Sequence, residues 1–307
     1  MLKILVLGAS GMLGHKVFEV LSSNKEYDVY GTVTRMASFK NTLPTNFADK
    51  IIENIFADKI DTVENLLLKQ KPDVVINCIG VIKQNEDSKS TKNCIVLNAL
   101  FPQQVAELCE KLNCRFITIA TDCVFDGQKG TAYLDDDLPT CHDVYGMTKY
   151  LGEIRNGNTL TLRTSIIGHE LGSNLSLLDW FLSQSTENTK GFTKAIFSGF
   201  TTFAFAKLLD EKIIPNKDLK GFYHISVNPI SKYELLSLVA KAYQKKINVI
   251  PDSNLSINRS LNSDRLRKII AYQPPSWEEL IKNMYEDFCS SDFYLEKRKK
   301  YEQNNHF

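Results

Sequence analysis

Tyr145 and Lys149 stand four positions apart in HDVYGMTKYLGE, residues 142–153, a segment that reads as the start of a helix. One helical turn sets the two side chains on the same face, so the ammonium can sit close to the phenol. An unperturbed phenol titrates near roughly 10, and a cation that close stabilises its phenolate form. Thr121 closes the apolar run CRFITIAT, residues 114–121, at the end of an expected buried strand. With 12 tyrosines in a lysine-rich chain, one such Tyr/Lys pair can arise by accident, so the trio means reduction only beside a hydride donor.

A site for such a donor is written at the start of the chain. LVLGASGMLGHKVFEVL places Gly8, Gly11 and Gly14 between the first expected strand and the first expected helix, in the spacing G-x-x-G-x-x-G. Glycines there allow a tight turn, a close approach of backbone to pyrophosphate, and packing of the helix on the sheet. Amides of Met12 and Leu13 at the helix N-terminus, with the Ser10 hydroxyl, then face the phosphates.

After the second expected strand, YGTVTR ends in Thr34 and Arg35 with no carboxylate. An acidic residue would accept from a free ribose 2′-hydroxyl, whereas Arg35 suits a 2′-phosphate, which favours NADPH over NADH. Asp58, in FADKID, either is placed to receive the adenine amino group or is an ordinary exposed loop aspartate. Ile79 and Gly80 end NCIG, where a dinucleotide can pass close to the backbone; Asn98, in VLNALFPQ, either organises the groove or caps the following helix.

These residues need a scaffold that collects strand ends. Apolar runs without polar alternation recur at 3–8, 27–33, 72–80, 114–121 and 159–168, and they read as strands buried on both faces. Helical segments at 13–23, 63–71 and 99–113 lie between them. The order implies an α/β fold, a Rossmann-like doubly wound parallel sheet with a smaller C-terminal substrate-binding lobe. Helices at 174–185 and 231–245, with strands at 220–227 and 247–252, follow. We expect residues 1–168, with a returning segment at about 196–228, to form the NADP(H)-binding domain, and 169–195 with 229–307 the second lobe.

Bulk properties narrow the function class. A formal charge of +1 over 307 residues gives no long-range field toward nucleic acid or an anionic bilayer, so neither is an expected partner. Seven cysteines, none in C-x-x-C or in a Cys/His cluster of zinc spacing, suit a reducing cytoplasm and no metal. No run approaches the roughly 18 apolar residues of a membrane span. Near the C-terminus, Lys297, Arg298, Lys299 and Lys300 read as a solvated helix end.

Together the glycine turn, ITIATDCVFDG and VYGMTK resemble the extended short-chain dehydrogenase/reductase superfamily, and within it the dTDP-4-dehydrorhamnose reductase-like family. TDCVFDG is similar to that family's T-D-Y-V-F-D-G, and YGMTKYLGE to its Y-G-x-T-K-x-x-G-E. LRTSIIG, FSGFTTFAFAKLL and the stretch from RSLNSDRLRKI to YQPPSWEELI extend the likeness through most of the chain. The resemblance implies Tyr145 as general acid, Lys149 as its electrostatic support and a ribose ligand, and Thr121 as the carbonyl's donor. It further implies NADPH-dependent reduction of the 4-keto group of a dTDP- or UDP-linked 4-keto-6-deoxyhexose, for a cell-surface polysaccharide precursor, by a protein that can form homodimers.

Cys123 stands where the family has tyrosine and puts a thiol near the pocket. Asp122 is followed by that cysteine rather than by the glutamate of sugar-nucleotide 4,6-dehydratases, which disfavours dehydration. Arg259 is the candidate cation for substrate phosphates. Trp180 suits either a stacking wall or a core position in its amphipathic segment. Two other readings share the motifs: a dinucleotide-binding regulatory subunit like the beta subunit of methionine adenosyltransferase, and a sugar-nucleotide epimerase.

Overall fold

The structure is a computed structural model that describes residues 1–39, 41–81 and 90–303. Its strands are β1 (Leu2–Leu7), β2 (Tyr27–Thr32), β3 (Ile51–Ile52), β4 (Val74–Asn77), β5 (Arg115–Thr121), β6 (Thr159–Thr164), β7 (Ile166–Ile167), β8 (Asn188–Phe197), β9 (Phe200–Thr201), β10 (Gly221–His224), β11 (Ile230–Ser231) and β12 (Asn248–Asn258). Seven of them form one sheet in the order β10-β6-β5-β4-β1-β2-β3. Every pairing in it is parallel. Ile4, Leu5, Val6 and Leu7 of β1 are almost wholly buried, as is all of β4, because helices cover both faces.

The helices are α1 (Met12–Ser22), α2 (Ile60–Gln70), α3 (Thr91–Cys94), α4 (Phe101–Lys111), α5 (Val144–Leu151), α6 (Leu177–Leu182), α7 (Thr202–Leu208), α8 (Lys232–Ala242), α9 (Asp264–Ile269), α10 (Trp277–Ser290) and α11 (Leu295–Gln303). A π-helical turn, Ile95–Leu100, joins α3 to α4. Strand order reverses between β1 and β4, so their carboxyl ends open a crevice of the kind where doubly wound sheets bind ligands.

The second lobe holds a three-stranded sheet in the order β11-β8-β12, with α8 packed on β8. β8 lies outside the strands expected from sequence, and β12 runs to Asn258 rather than stopping near 252. Both carry polar residues on exposed positions, so neither has the unbroken apolar run of a doubly covered strand. One hydrophobic cluster runs from Val17 and Phe18 of α1 through Phe205 of α7 to Leu235 of α8 and Met284 of α10, so the lobes share a core. α10 and the turn after it return to α1, where the buried Lys16 ammonium pairs with Asp287 at 2.7 Å and with Glu19.

The basic tail differs from its expected role. Lys297 reaches the buried Asp179 carboxylate at 2.6 Å, and Arg298 donates to the carbonyls of Phe288 and Ser291. Two of the four cations therefore tie the chain end to the core; residues 304–307 lie outside the described residues.

Candidate active site

The glycine turn is built by close approach. Gly8 has φ +82°, and a Cβ on it would press on Ile79 across the crevice at 2.8 Å. On Gly14 a Cβ would collide with the Gly8 carbonyl oxygen, so only hydrogen lets α1 begin this close to the turn. Gly11 is the N-cap and brings no side chain to satisfy the first amides of α1, which leaves the helix N-terminus open to an anion. These residues fit a dinucleotide's pyrophosphate. Ser10, Met12 and Leu13 stand at the mouth of this turn, all at least partly accessible.

Arg35 lies exposed three residues beyond β2, with its carbonyl accepting from Ser38. Asp58 is exposed in the turn before α2. On the other side of the crevice Gly80 is exposed, and a Cβ there would lie 3.2 Å from Asn98 Oδ1 and 3.6 Å from Lys149 Nζ. Its missing side chain thus leaves the Lys149 ammonium approachable along the edge of β4.

Asn98 is 2% exposed and belongs to the π-helical turn. Its Oδ1 accepts from the Val81 amide at 2.9 Å, and its Nδ2 faces Thr148 Oγ1 at 3.4 Å. It therefore pins the end of β4 to α5 and does not cap the helix; π turns of this kind often sit at functional sites.

α5 begins where Asp143 accepts from the Gly146 amide at 2.8 Å, an N-cap that fixes the first turn carrying Tyr145. This aspartate is absent from the sequence-derived site, although an Asp directly before an apolar-periodic segment is the available signal. Lys149 donates to the Ile119 carbonyl at 3.0 Å, which draws its ammonium under the end of β5. A cavity of about 10 Å³, the size of one water, lies beside it among Asn77, Asn98 and Thr118.

Electrostatics separate the pair. Tyr145 is half-buried, and desolvation of its hydroxyl raises its proton affinity well above that of a free phenol; the nearby Thr121 hydroxyl acts the other way. Desolvation pushes the Lys149 ammonium down to about 8, opposed chiefly by the Glu153 carboxylate. Glu153 is itself clamped by Arg163, which is wholly buried, at 2.6 Å and 2.8 Å. Below pH 8 the site thus holds a protonated phenol beside a charged lysine, the state that gives a proton to a nascent alkoxide.

Thr121 ends β5 and is 9% exposed. Its Oγ1 accepts from the Cys123 amide at 3.2 Å and lies 3.4 Å from Asp122 Oδ1, to which it donates. Asp122 is buried, and desolvation raises its carboxyl above the usual range, with Arg259 and Lys232 opposing. Arg259, just past β12, brings Nη1 to 3.6 Å from Cys123 Sγ, while its Nε is buried without a partner. Burial pushes the Cys123 thiol up to about 12, so it is a neutral thiol at physiological pH. Sequence reasoning missed Lys232, the first residue of α8, because nothing in the chain signals that it folds toward Asp122.

Trp180 is 40% exposed on α6, outside the core. Among the described residues no hydrogen bond or ring contact joins it to Thr121, Tyr145 or Arg259. The described residues also contain no cluster of histidine, cysteine and carboxylate able to hold a metal, and no helix long and apolar enough to cross a membrane.

Fold and site define the class, a Rossmann-type short-chain dehydrogenase/reductase of the extended kind. A family model described as RmlD substrate binding domain matches residues 2–290, and the chain belongs to that family. It is 25% identical over 310 residues to a dTDP-4-dehydrorhamnose reductase of Aggregatibacter actinomycetemcomitans, covering 92% of this chain and 98% of that one. It is also 24% identical over 266 residues to methionine adenosyltransferase 2 subunit beta of Danio rerio, covering 82% and 76%. Among solved structures, a dTDP-4-dehydrorhamnose reductase from Bacillus anthracis in complex with NADP superposes with a TM-score of 0.76 at 22% identity, covering 94% and 99%.

Proposed function

We propose that the protein is an NADPH-dependent reductase that converts the 4-keto group of a dTDP- or UDP-linked 4-keto-6-deoxyhexose into an alcohol, for a cell-surface polysaccharide precursor. One observation carries this reading: the Tyr145 phenol is held near the Thr121 hydroxyl at the end of β5, and Lys149, one helical turn further on, bonds the Ile119 carbonyl of the same strand beside the open edge at Gly80. The names of the reductase relatives and the NADP-bound neighbour support the substrate class and the coenzyme.

In this reading Gly8, Gly11 and Gly14, with Ser10 and the Met12 and Leu13 amides, hold the pyrophosphate. Arg35 takes the 2′-phosphate, Asp58 the adenine, and Ile79 and Gly80 the nicotinamide side, with Asn98 fixing their loop. Bound NADPH supplies the hydride. Thr121 orients the substrate carbonyl, which requires its hydroxyl to turn from Asp122 toward the incoming oxygen. Tyr145 delivers the proton, and Lys149 stabilises the phenolate left behind. Arg259, whose buried Nε lacks an acceptor, is the phosphate anchor, and a diphosphate oxygen would satisfy it. Cys123 shapes the pocket and Trp180 flanks its outer rim.

Incubation with NADPH and a panel of dTDP- and UDP-linked 4-keto-6-deoxyhexoses tests the proposal. Loss of nicotinamide absorbance in step with alcohol product is expected. No loss with any sugar, alongside tight binding of a methionine adenosyltransferase catalytic subunit, would instead support a regulatory role like that of the Danio rerio relative. Coenzyme retained tightly and not consumed would point to epimerisation. Homodimer formation in the cytoplasm belongs to the same reading, and sedimentation of the purified protein tests the dimer.

A further inference from the structure

Two adjacent aromatic residues near the C-terminus touch both segments that hold the coenzyme in the reading above. Phe293 and Tyr294 lie in the short turn Asp292–Tyr294 between α10 and α11, and each is 1% exposed. Tyr294 Oη lies 2.8 Å from His15 Nε2, and His15 Nδ1 lies 2.8 Å from the Gly11 carbonyl. A carbonyl only accepts, so Nδ1 carries the proton, and Nε2 must then accept from the tyrosine. Burial, reinforced by the Lys16 charge, lowers the His15 pKa to about 3, which keeps the ring neutral and this relay fixed in direction. The N-cap carbonyl of the glycine turn is thus set through His15 by a residue 279 positions away in sequence.

Phe293 reaches the other segment. Its ring stacks on Phe47 at 5.8 Å between centroids, and it meets Phe39 at 6.3 Å and His15 at 5.7 Å. Phe39 and Phe47 belong to the connection from β2 to β3, and Phe39 closes the short helical turn Met36–Phe39 that starts directly after Arg35. Arg35 is therefore an exposed residue at the root of a turn whose far end leans on Phe293. The wedge itself is tied down: Ser291 Oγ donates to Glu19 at 2.6 Å, and the Lys16 ammonium lies 4.6 Å from the Tyr294 ring.

We propose that Phe293 and Tyr294 are positioning residues for the coenzyme, Tyr294 acting on the pyrophosphate turn and Phe293 on the Arg35 turn that selects the 2′-phosphate. The inference rests on the NADPH reading, and the two segments give it separable signatures. Phe293 supports only the selecting turn, so its loss changes discrimination between coenzymes. Tyr294 supports the turn that serves both.

Direct titration of NADPH and NADH, by nicotinamide fluorescence without substrate, tests this. Phe293→Ala is expected to raise the Kd for NADPH about tenfold and that for NADH about twofold, with Phe293→Leu, which keeps bulk but loses the ring stacking, giving a smaller shift of the NADPH to NADH ratio in the same direction. Tyr294→Phe should raise both Kd values together, by about five- to tenfold, through the unpaired His15 nitrogen. A folded Phe293→Ala protein with the wild-type NADPH to NADH ratio overturns the Phe293 role. Should that variant fail to fold, Phe293→Leu with an unshifted ratio and Tyr294→Phe with unshifted Kd values overturn the proposal together. If the wild-type protein binds neither coenzyme, or both equally, the coenzyme reading itself fails, whatever the variants do.

Discussion

The coenzyme side and the substrate side of the crevice are built by different means. On the coenzyme side the groups are backbone amides, small residues and Arg35 at or just past the ends of β1, β2 and β4, held by a parallel ladder in which Leu7 faces Thr32 on one side and Asn77 on the other. On the substrate side Asp122 and Cys123, Arg259 and Lys232 come together from three chain segments, and burial of charge dominates. The first side is built mainly by local geometry, buttressed from behind by Phe293 and Tyr294, whereas the second is assembled by long-range packing between lobes. Mutations should therefore act on one side without spreading to the other.

The largest expected effect is at the junction of the two. Tyr145→Phe should lower kcat by about 10²–10⁴-fold while the NADPH Kd, measured by fluorescence titration, stays within about twofold, because only proton delivery is lost. A comparable loss of coenzyme binding would break the separation. On the substrate side, Arg259→Leu should raise the KM for the sugar nucleotide about 10–100-fold with a small change in kcat, since a charged hydrogen-bonding pair to phosphate is removed.

On the coenzyme side, Arg35→Ala should weaken NADPH about tenfold and leave NADH within about twofold. Equal losses for both would refute the 2′-phosphate contact. The mildest effect is expected from pH. Lys149 is charged below its lowered pKa and neutral above it, while the raised Tyr145 affinity keeps that proton in place. Thus kcat/KM for reduction should be flat toward neutrality and fall as pH rises through about 8. A decline that instead begins on the acid side of neutrality would sharpen attention on Asp122, whose carboxyl is also raised.

The same contrast explains what could be read from the chain alone. Gly8, Gly11 and Gly14 are legible because a strand, a turn and a helix start must follow one another within a few residues, and each demand leaves its residue type. Tyr145 and Lys149 are legible through one helical turn. Lys232 and the burial of Asp122 were not, since each depends on where a distant segment lands; Asp143 was overlooked although its N-cap signal is local. β8 was missed for a related reason: it is paired on both edges but covered on one face, so its pattern carries polar residues. Trp180 shows the converse error, in which an amphipathic spacing allowed a core position that the fold leaves half in solvent.

The π-helical turn at Ile95–Leu100 makes length, rather than composition, the sensitive variable in that part of the molecule. It accommodates one residue more than regular α-helical winding would, and each residue of an α-helix turns the chain by roughly 100°. Deleting a single residue before Asn98 there would swing its side chain off the Val81 amide. Substitution at the exposed Ile95 and Leu100 should therefore be tolerated, whereas an insertion or deletion within the turn would rewire the crevice.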